Sequence, residues 1–461
     1  MTDRILTKKN LLVFGVFAVL LRAAVALLPW FLPLSQRMIT LSDVPILILT
    51  VCTIVYVGRR KTPIRFQNAQ VLLILFFAWT ILACLSMSVT YDNDWVHHNS
   101  DPLLNAFVSC MVIFPLGYVL IREKPAAVGR GLFHAFILGW TAFMLIVLIV
   151  VAQGKTLSLG MDYGNSDGLI RLYENGLELN CNRNHTGAWE MSFFLLSCFM
   201  VLRCRRPALK AIYSAAAAVH YVALILSNSR AAIFSVLLGW IALVGIGVFL
   251  RLGGQKRSRR LLIALAAAAV AGAAFFLLRS AVYSLFMQEG RGLTNGADEF
   301  TSGRTDLWES ALKGIVSSVR SFLFGFTPKS VPDMIAQTSN GRWPASYSHN
   351  EFLEIAAGIG VPGLCIFAGW LFLLVRDTYR LFFVQKDRSF RLVLPVIVFV
   401  LLLANMAEAH LLFYNHLSGY VFFLLSGMLH GTANAPLPAG HPRLNAAVRV
   451  FRDRKNHRPP A

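Results

Sequence analysis

The sequence predicts an all-α polytopic membrane protein with about twelve transmembrane helices and a long outward loop carrying short amphipathic helices. Three observations predict it. Only 14% of the 461 residues are charged, where a soluble chain carries about 25%, and the mean hydropathy is +0.60. Apolar runs close to the ~20 residues of a membrane-spanning helix recur along the chain. The basic residues fall in alternate connections between those runs. Together these exclude an ordinary soluble enzyme, a disordered chain and a nucleic-acid-binding domain. The net charge of +20 follows from topology, because Lys and Arg gather in the loops on the inner side of a membrane.

The expected spans are roughly 11–30, 40–57, 70–88, 103–121, 131–152, 187–202, 211–227, 231–250, 261–279, 353–375, 392–407 and 411–430. The first follows a basic start, Arg4, Lys8 and Lys9, without a small-x-small cleavage site. It reads as a retained helix, not a signal peptide. The segments 58–69, 122–130, 203–210, 251–260 and 376–391, with the two termini, hold thirty of the 43 basic residues. They are every second segment of the chain. That pattern puts both termini on the inner side and supports twelve spans, since a missed helix would scramble the alternation.

The domain organisation follows: spans one to nine in 1–279, a large outward loop in 280–352, spans ten to twelve in 353–430 and a basic inward tail in 431–461. A second outward loop covers about 153–186. The 280–352 loop is not low in complexity. Leu307, Trp308, Leu312 and Ile315 recur at helical spacing, so short amphipathic helices are expected to lie on the outer membrane surface. The seven cysteines show no metal-ligand spacing and no disulfide framework.

Polar residues at outward helix ends are the candidates for chemistry, because a charge near the membrane must be compensated. Arg230 occupies a turn of a few residues between two apolar runs, Ser227-Asn228-Ser229-Arg230. Arg304 precedes the amphipathic helix. Either residue also fits an ordinary interfacial or surface cation whose stem snorkels. Arg183 lies in Asn182-Arg183-Asn184-His185, which opens the sixth span. Asn184-His185-Thr186 also matches a glycosylation sequon, a weak signal at a membrane boundary. His349 and Asn350 stand between Ser348 and Glu351. Those two have capping-box spacing, which would place His349 in the first helical turn of the tenth span, where the positive helix end disfavours imidazolium. An interfacial histidine bonded to a loop fits as well. Gly358-Ile-Gly-Val-Pro-Gly363 matches a dinucleotide fingerprint but follows no strand. It reads as a kink where helices pack closely.

Several of these pieces recur in order. Asn228-Ser-Arg-Ala-Ala, Ser302-Gly-Arg-Thr-Asp-Leu-Trp, Phe324-Gly-Phe and Ser348-His-Asn-Glu, with Gly360 and Gly363 downstream, resemble the O-antigen ligase and O-antigen polymerase superfamily. The resemblance covers about 180–430. Each motif is short, and their order and shared outward side carry the specificity. Phe324-Gly325-Phe326 departs from the family's usual Gly-x-Gly.

The resemblance implies a GT-C-like glycosyltransferase in the inner membrane of a bacterium, with its active site on the periplasmic face and both termini cytoplasmic. It implies transfer of a glycan from undecaprenyl pyrophosphate to lipid A–core. The family's essential arginines match Arg230 and Arg304, and its essential histidine matches His349. Arg183 and Asn350 are the expected substrate-binding additions. Arginine forks suit pyrophosphate oxygens, and a neutral histidine suits deprotonation of a sugar hydroxyl. The outward side has no acidic cluster of the Asp-x-Asp kind, so neither a metal nor another cofactor is expected, and direct displacement would invert the anomeric centre. The implied partners are the lipid-linked glycan, lipid A–core and membrane lipids, and no nucleic acid. A polymerase of the same superfamily is the nearest alternative. A lipid-linked-glycan transporter is a more distant one; it should carry ionisable residues near mid-membrane, for which Arg22 and Glu408 are the few candidates.

Overall fold

The computed structural model describes residues 7–27, 43–60, 67–88, 95–122, 127–153, 157–163, 166–173, 176–179, 183–252, 257–286, 304–343, 347–383, 393–406, 408–409, 411–414 and 416–434. The basic tail beyond 434 and the loop segment 287–303 lie outside these residues.

The order is α1 (Lys8–Leu27), α2 (Val44–Arg60), α3 (Asn68–Ser88), α4 (Trp95–Phe107), a π-helical turn (Val108–Ile113), α5 (Phe114–Arg122) and α6 (Ala127–Ala152). Three strands follow: β1 (Leu157–Tyr163), β2 (Ser166–Tyr173) and β3 (Gly176–Leu179). Then come α7 (Arg183–Arg203), α8 (Pro207–Ser227), α9 (Arg230–Arg251) and α10 (Arg257–Phe286). The chain continues with α11 (Arg304–Ile315), α12 (Val319–Phe324), a 3₁₀ turn (Pro328–Ser330) and α13 (Val331–Thr338). It ends with α14 (Glu351–Phe383), α15 (Val393–Asn405) and α16 (Leu417–Ala433).

Each expected apolar run falls on a helix. Among the described residues six stretches are long and apolar enough to cross a membrane: Asn68–Ser86, Ser100–Ile121, Gly131–Ala152, Pro207–Leu226, Leu261–Ala281 and Glu351–Leu381. Val44–Tyr56, Arg230–Ile246, Val393–Asn405 and Leu417–Ala433 are shorter apolar helices. The remaining two runs, in α1 and α7, contain the charged residues Arg22 and Glu190, both buried. Arg22 is ion-paired with Asp43. Its guanidinium also donates to Tyr420 Oη at 2.8 Å and to Asn105 Oδ1 at 2.6 Å. Glu190 accepts from Trp140 Nε1 at 2.8 Å and lies 2.7 Å from His220 Nδ1. The Nε2 of that histidine meets Thr141 Oγ1 at 2.9 Å. These charges are compensated inside the bundle, as buried charges must be. Asp377 and His430 form a further buried pair between α14 and α16.

The helical reading holds for the apolar part, and the 153–186 loop adds a three-stranded antiparallel sheet in the order β1-β2-β3. Leu157 pairs with Ile170, and Ile170 with Leu179. Periodicity alone did not announce it, because these strands are short and interrupted by Gly, Asn and Asp.

Two boundaries differ from expectation. The last run begins helical structure only at Leu417, since the His416 side chain caps the helix by accepting from Ser418 N–H. The stretch before it is drawn out of helix, because Leu411 N–H donates to Glu351 Oε2 at 2.9 Å. The Gly358–Gly363 segment forms the expected kink. Ile359 and Gly360 leave helical geometry, and Gly360 has φ +80°. A Cβ there would sit 2.1 Å from Leu323 O, so only glycine fits. Trp79 Nε1–H satisfies the freed Ile359 carbonyl at 2.9 Å. An aromatic cluster gathers around Trp370, further along α14 from the kink. Trp370 stacks on Phe423 at 5.3 Å and meets Phe114 and Phe422 edge-on at 5.8 Å.

Candidate functional site

Four helices open at one end of the bundle, and each opens on a residue singled out above. Arg183 begins α7, Arg230 begins α9, Arg304 begins α11, and His349-Asn350 leads into α14. The hairpin between α8 and α9 is two residues long. Asn228 closes it in the left-handed region at φ 51°, which Asn tolerates better than most residues. Gly187 of α7 packs on that hairpin, where a Cβ would lie 2.2 Å from Ser229 Cβ. This close approach brings the starts of α7 and α9 together.

A shallow cleft opens beside them. Its lining includes Asn184 of α7, Ser229 and Ala231 at the start of α9, Asn405 at the end of α15 and Glu408 beyond it. The N-termini of α7 and α9 meet at this cleft, where their dipoles favour negative charge, and the Glu408 carboxylate and the C-terminal end of α15 face them.

Glu408 organises the opposite wall. Its carboxylate is buried and pairs with Arg304 through Oε1. Its Oε2 lies 2.9 Å from His349 Nδ1. One carboxylate therefore holds an arginine from the start of α11 and a histidine from the approach to α14. The sequence reading mentioned Glu408 only as a polar residue inside a span and missed its place in the site. The signal was a single acid in Asn405-Met-Ala-Glu408, just past the end of an apolar run.

The expected capping box is absent. The Ser348 hydroxyl donates to Glu354 Oε2 at 2.6 Å, and Glu351 is taken by Leu411 N–H. Asn350 is the cap instead. Its Oδ1 accepts from Phe352 N–H at 3.0 Å and Leu353 N–H at 3.2 Å, while its Nδ2 donates to Met406 O at 2.9 Å. Asn350 thereby ties α14 to the segment bearing Glu408. His349 lies before the helix at φ 49°, not in its first turn. The reason is burial: Glu351 turns inward to Leu411 N–H, and it is Glu354, one turn further on, whose carboxylate reaches back to Ser348, accepting from its N–H at 3.1 Å as well as from its hydroxyl. The argument from the helix dipole no longer applies to His349, and the Glu408 carboxylate takes its place as the orienting group.

A non-glycine residue at positive φ next to a polar cluster is a conformation held by its surroundings. Here Asn350 and Glu408 hold it. His185, in the first turn of α7, is electrostatically coupled to the same group. Burial pushes its imidazole below the ordinary range, while Glu408 pulls it back and His349 adds to the fall. Its ring lies 5.4 Å from that of His416.

The structure therefore joins Arg304, His349 and Asn350 around Glu408 and its segment. Arg230 is exposed at the start of α9, the helix whose next residues line the cleft. Arg183 opens α7, and its side chain lies outside the described residues. Among the described residues no group of three or more His, Cys, Asp or Glu is arranged to hold a metal ion.

No curated protein matches the chain. Residues 214–368 match the family described as O-antigen ligase. That stretch, which holds Arg230, Arg304, His349 and Asn350, is similar to the O-antigen ligase family over about a third of the chain.

Proposed function

We propose that this protein is a membrane glycosyltransferase that moves a glycan from undecaprenyl pyrophosphate to lipid A–core. The observation that carries the reading is the Glu408 carboxylate shared by Arg304 and His349. With Nδ1–H donated to Glu408, His349 Nε2 carries the lone pair and faces away from the carboxylate. This is the orienting logic of a base fixed by an acid. The acceptor hydroxyl attacks the anomeric carbon and gives its proton to His349 Nε2. The bond from that carbon to the pyrophosphate oxygen breaks, and undecaprenyl pyrophosphate leaves with the electron pair. Attack opposite the leaving group inverts the anomeric centre.

Arg230 and Arg304 hold the pyrophosphate and stabilise its growing charge, in the role a divalent ion plays elsewhere. Arg183 and the α7 start extend that positive rim, and Asn350 positions the base. In this reading the twelve helices cross the inner membrane. Both termini are cytoplasmic, and the loops 153–186 and 280–352 lie in the periplasm with the site. The tail from 431 stays inside.

Deletion in a native host tests the reaction. The ligase reading requires loss of long-chain lipopolysaccharide with accumulation of polymeric lipid-linked glycan. Single repeats on lipid A–core would instead indicate a polymerase. Cysteines introduced at positions 165 and 295 should react with an impermeant thiol reagent from the periplasm, and those at 63 and 255 should not. Labelling of 255 from outside overturns the topology.

A further inference from the structure

The segment from α11 to α12 carries an apolar surface that the proposed chemistry does not use. Leu312 and Val316 lie one turn apart near the end of α11. Val319, Phe322 and Leu323 share one face of α12. All five are exposed, Val319 by 78% and Val316 by 68%. An apolar cluster of this kind on a polar segment marks an interaction surface.

The neighbours of α12 fix where this surface sits. Arg320, near its start, donates to Ser86 O at the outer end of α3. Phe324, at its end, stacks on Trp79 of α3 with ring centroids 5.6 Å apart. Ser86 and Trp79 are seven residues apart, about 10 Å along a helix. The candidate span Asn68–Ser86 is 19 residues long, so all of it is needed to cross the ~30 Å hydrocarbon layer. α12 therefore descends along the flank of a span and does not lie above it.

Its backbone is provided for at that depth. Ser318 and Ser321 form a capping box at its start. Gly325 N–H donates to Ser321 O at 2.8 Å, and Phe326 N–H donates to Ala357 O at 2.7 Å. Satisfied non-helical backbone is what the acyl region demands. Leu82 and Leu85 of α3, the helix that α12 packs on, are exposed apolar residues as well.

We propose that α12 is a short re-entrant wedge, and that its face formed by Val319, Phe322 and Leu323 is bedded in the acyl chains of the leaflet on the side of the site. The sequence placed amphipathic helices on the membrane surface; the wedge enters it. The turn Val316–Ser318 joins it directly to α11, so the leaflet sets the height of the helix that opens on Arg304.

The test uses the full chain in lipid nanodiscs with trifluoromethyl-phenylalanine at position 322 and, separately, at 309. Glu309 is exposed and paired with Lys313, and it lies two helical turns before Val316 on α11, away from the wedge. The fluorine resonance at 322 should broaden with acyl-chain spin-labelled phosphatidylcholine and stay sharp with a water-soluble gadolinium chelate. Position 309 should do the reverse. Gadolinium broadening at 322 equal to that at 309 would overturn the wedge in favour of a water-exposed surface. Protection at 322 from both agents would overturn it in favour of a protein partner or a second copy.

Discussion

His349 Nδ1 lies 2.9 Å from Glu408 Oε2, on a carboxylate whose other oxygen is taken by Arg304. The pair explains how a histidine outside any helix can be held in one orientation. It also makes Glu408 a positioning residue whose loss should be felt at the reaction. Glu408→Gln should reduce transfer by about 10²-fold or more, since an amide can present the wrong group to Nδ1–H. Glu408→Asp should recover part of that rate, which a purely structural role in folding would not predict for an equally expressed Glu408→Gln. Transfer by purified variants, with kcat and KM separated, checks this. An unchanged kcat in Glu408→Gln removes the residue from the mechanism.

His349→Ala should lower the rate by about 10²–10⁴-fold, the usual worth of a general base, with donor binding largely kept. The wild-type rate should fall toward low pH, because imidazolium cannot accept the acceptor's proton. If His349 instead served as a cation on the pyrophosphate, the rate would rise toward low pH and His349→Arg would restore part of it. Rates from pH 5.5 to 8.5 for wild type and His349→Arg separate the two roles.

Arg230→Ala and Arg304→Ala should each abolish or severely reduce transfer with expression intact. Lysine should rescue only in part at either site, because a compact ammonium cannot make the bidentate phosphate contact. Full activity in Arg304→Ala would leave that residue as no more than a partner for Glu408. Transfer should also survive chelation. A loss with EDTA that Mg²⁺ reverses in purified protein would reject the use of arginine in place of a metal.

The buried Glu190–His220 pair predicts stability, not catalysis. His220→Ala strands a fully buried carboxylate between α7 and α8, and removing one partner of such a pair costs about 3–5 kcal/mol. Glu190→Gln keeps an acceptor for Trp140 and should cost much less. Thermal unfolding of the two detergent-purified variants gives the comparison. Equal melting temperatures would mean that the pair contributes nothing to the bundle.

The sequence by itself determined where the helices lie and which polar residues stand at their starts. Apolar length and loop charge are local properties, and Arg230, Arg304 and His349 stand out because a cation at an outward helix end needs a reason. The two-residue hairpin at Asn228-Ser229 and the kink at Gly360 were legible for the same cause, since backbone geometry is written in the residues that tolerate it. Only the tertiary structure decided the partners. Arg304 and Glu408 are 104 residues apart, and His349 and Glu408 are 59 apart, so no periodicity links them. The cap of α14 passed from Ser348 to Asn350 because burial turned Glu351 and Glu354 toward a segment some sixty residues downstream. The depth of α12 was fixed in the same way, by Trp79 and Ser86 on a distant helix. Local propensity places an element, and long-range packing decides what its polar groups meet.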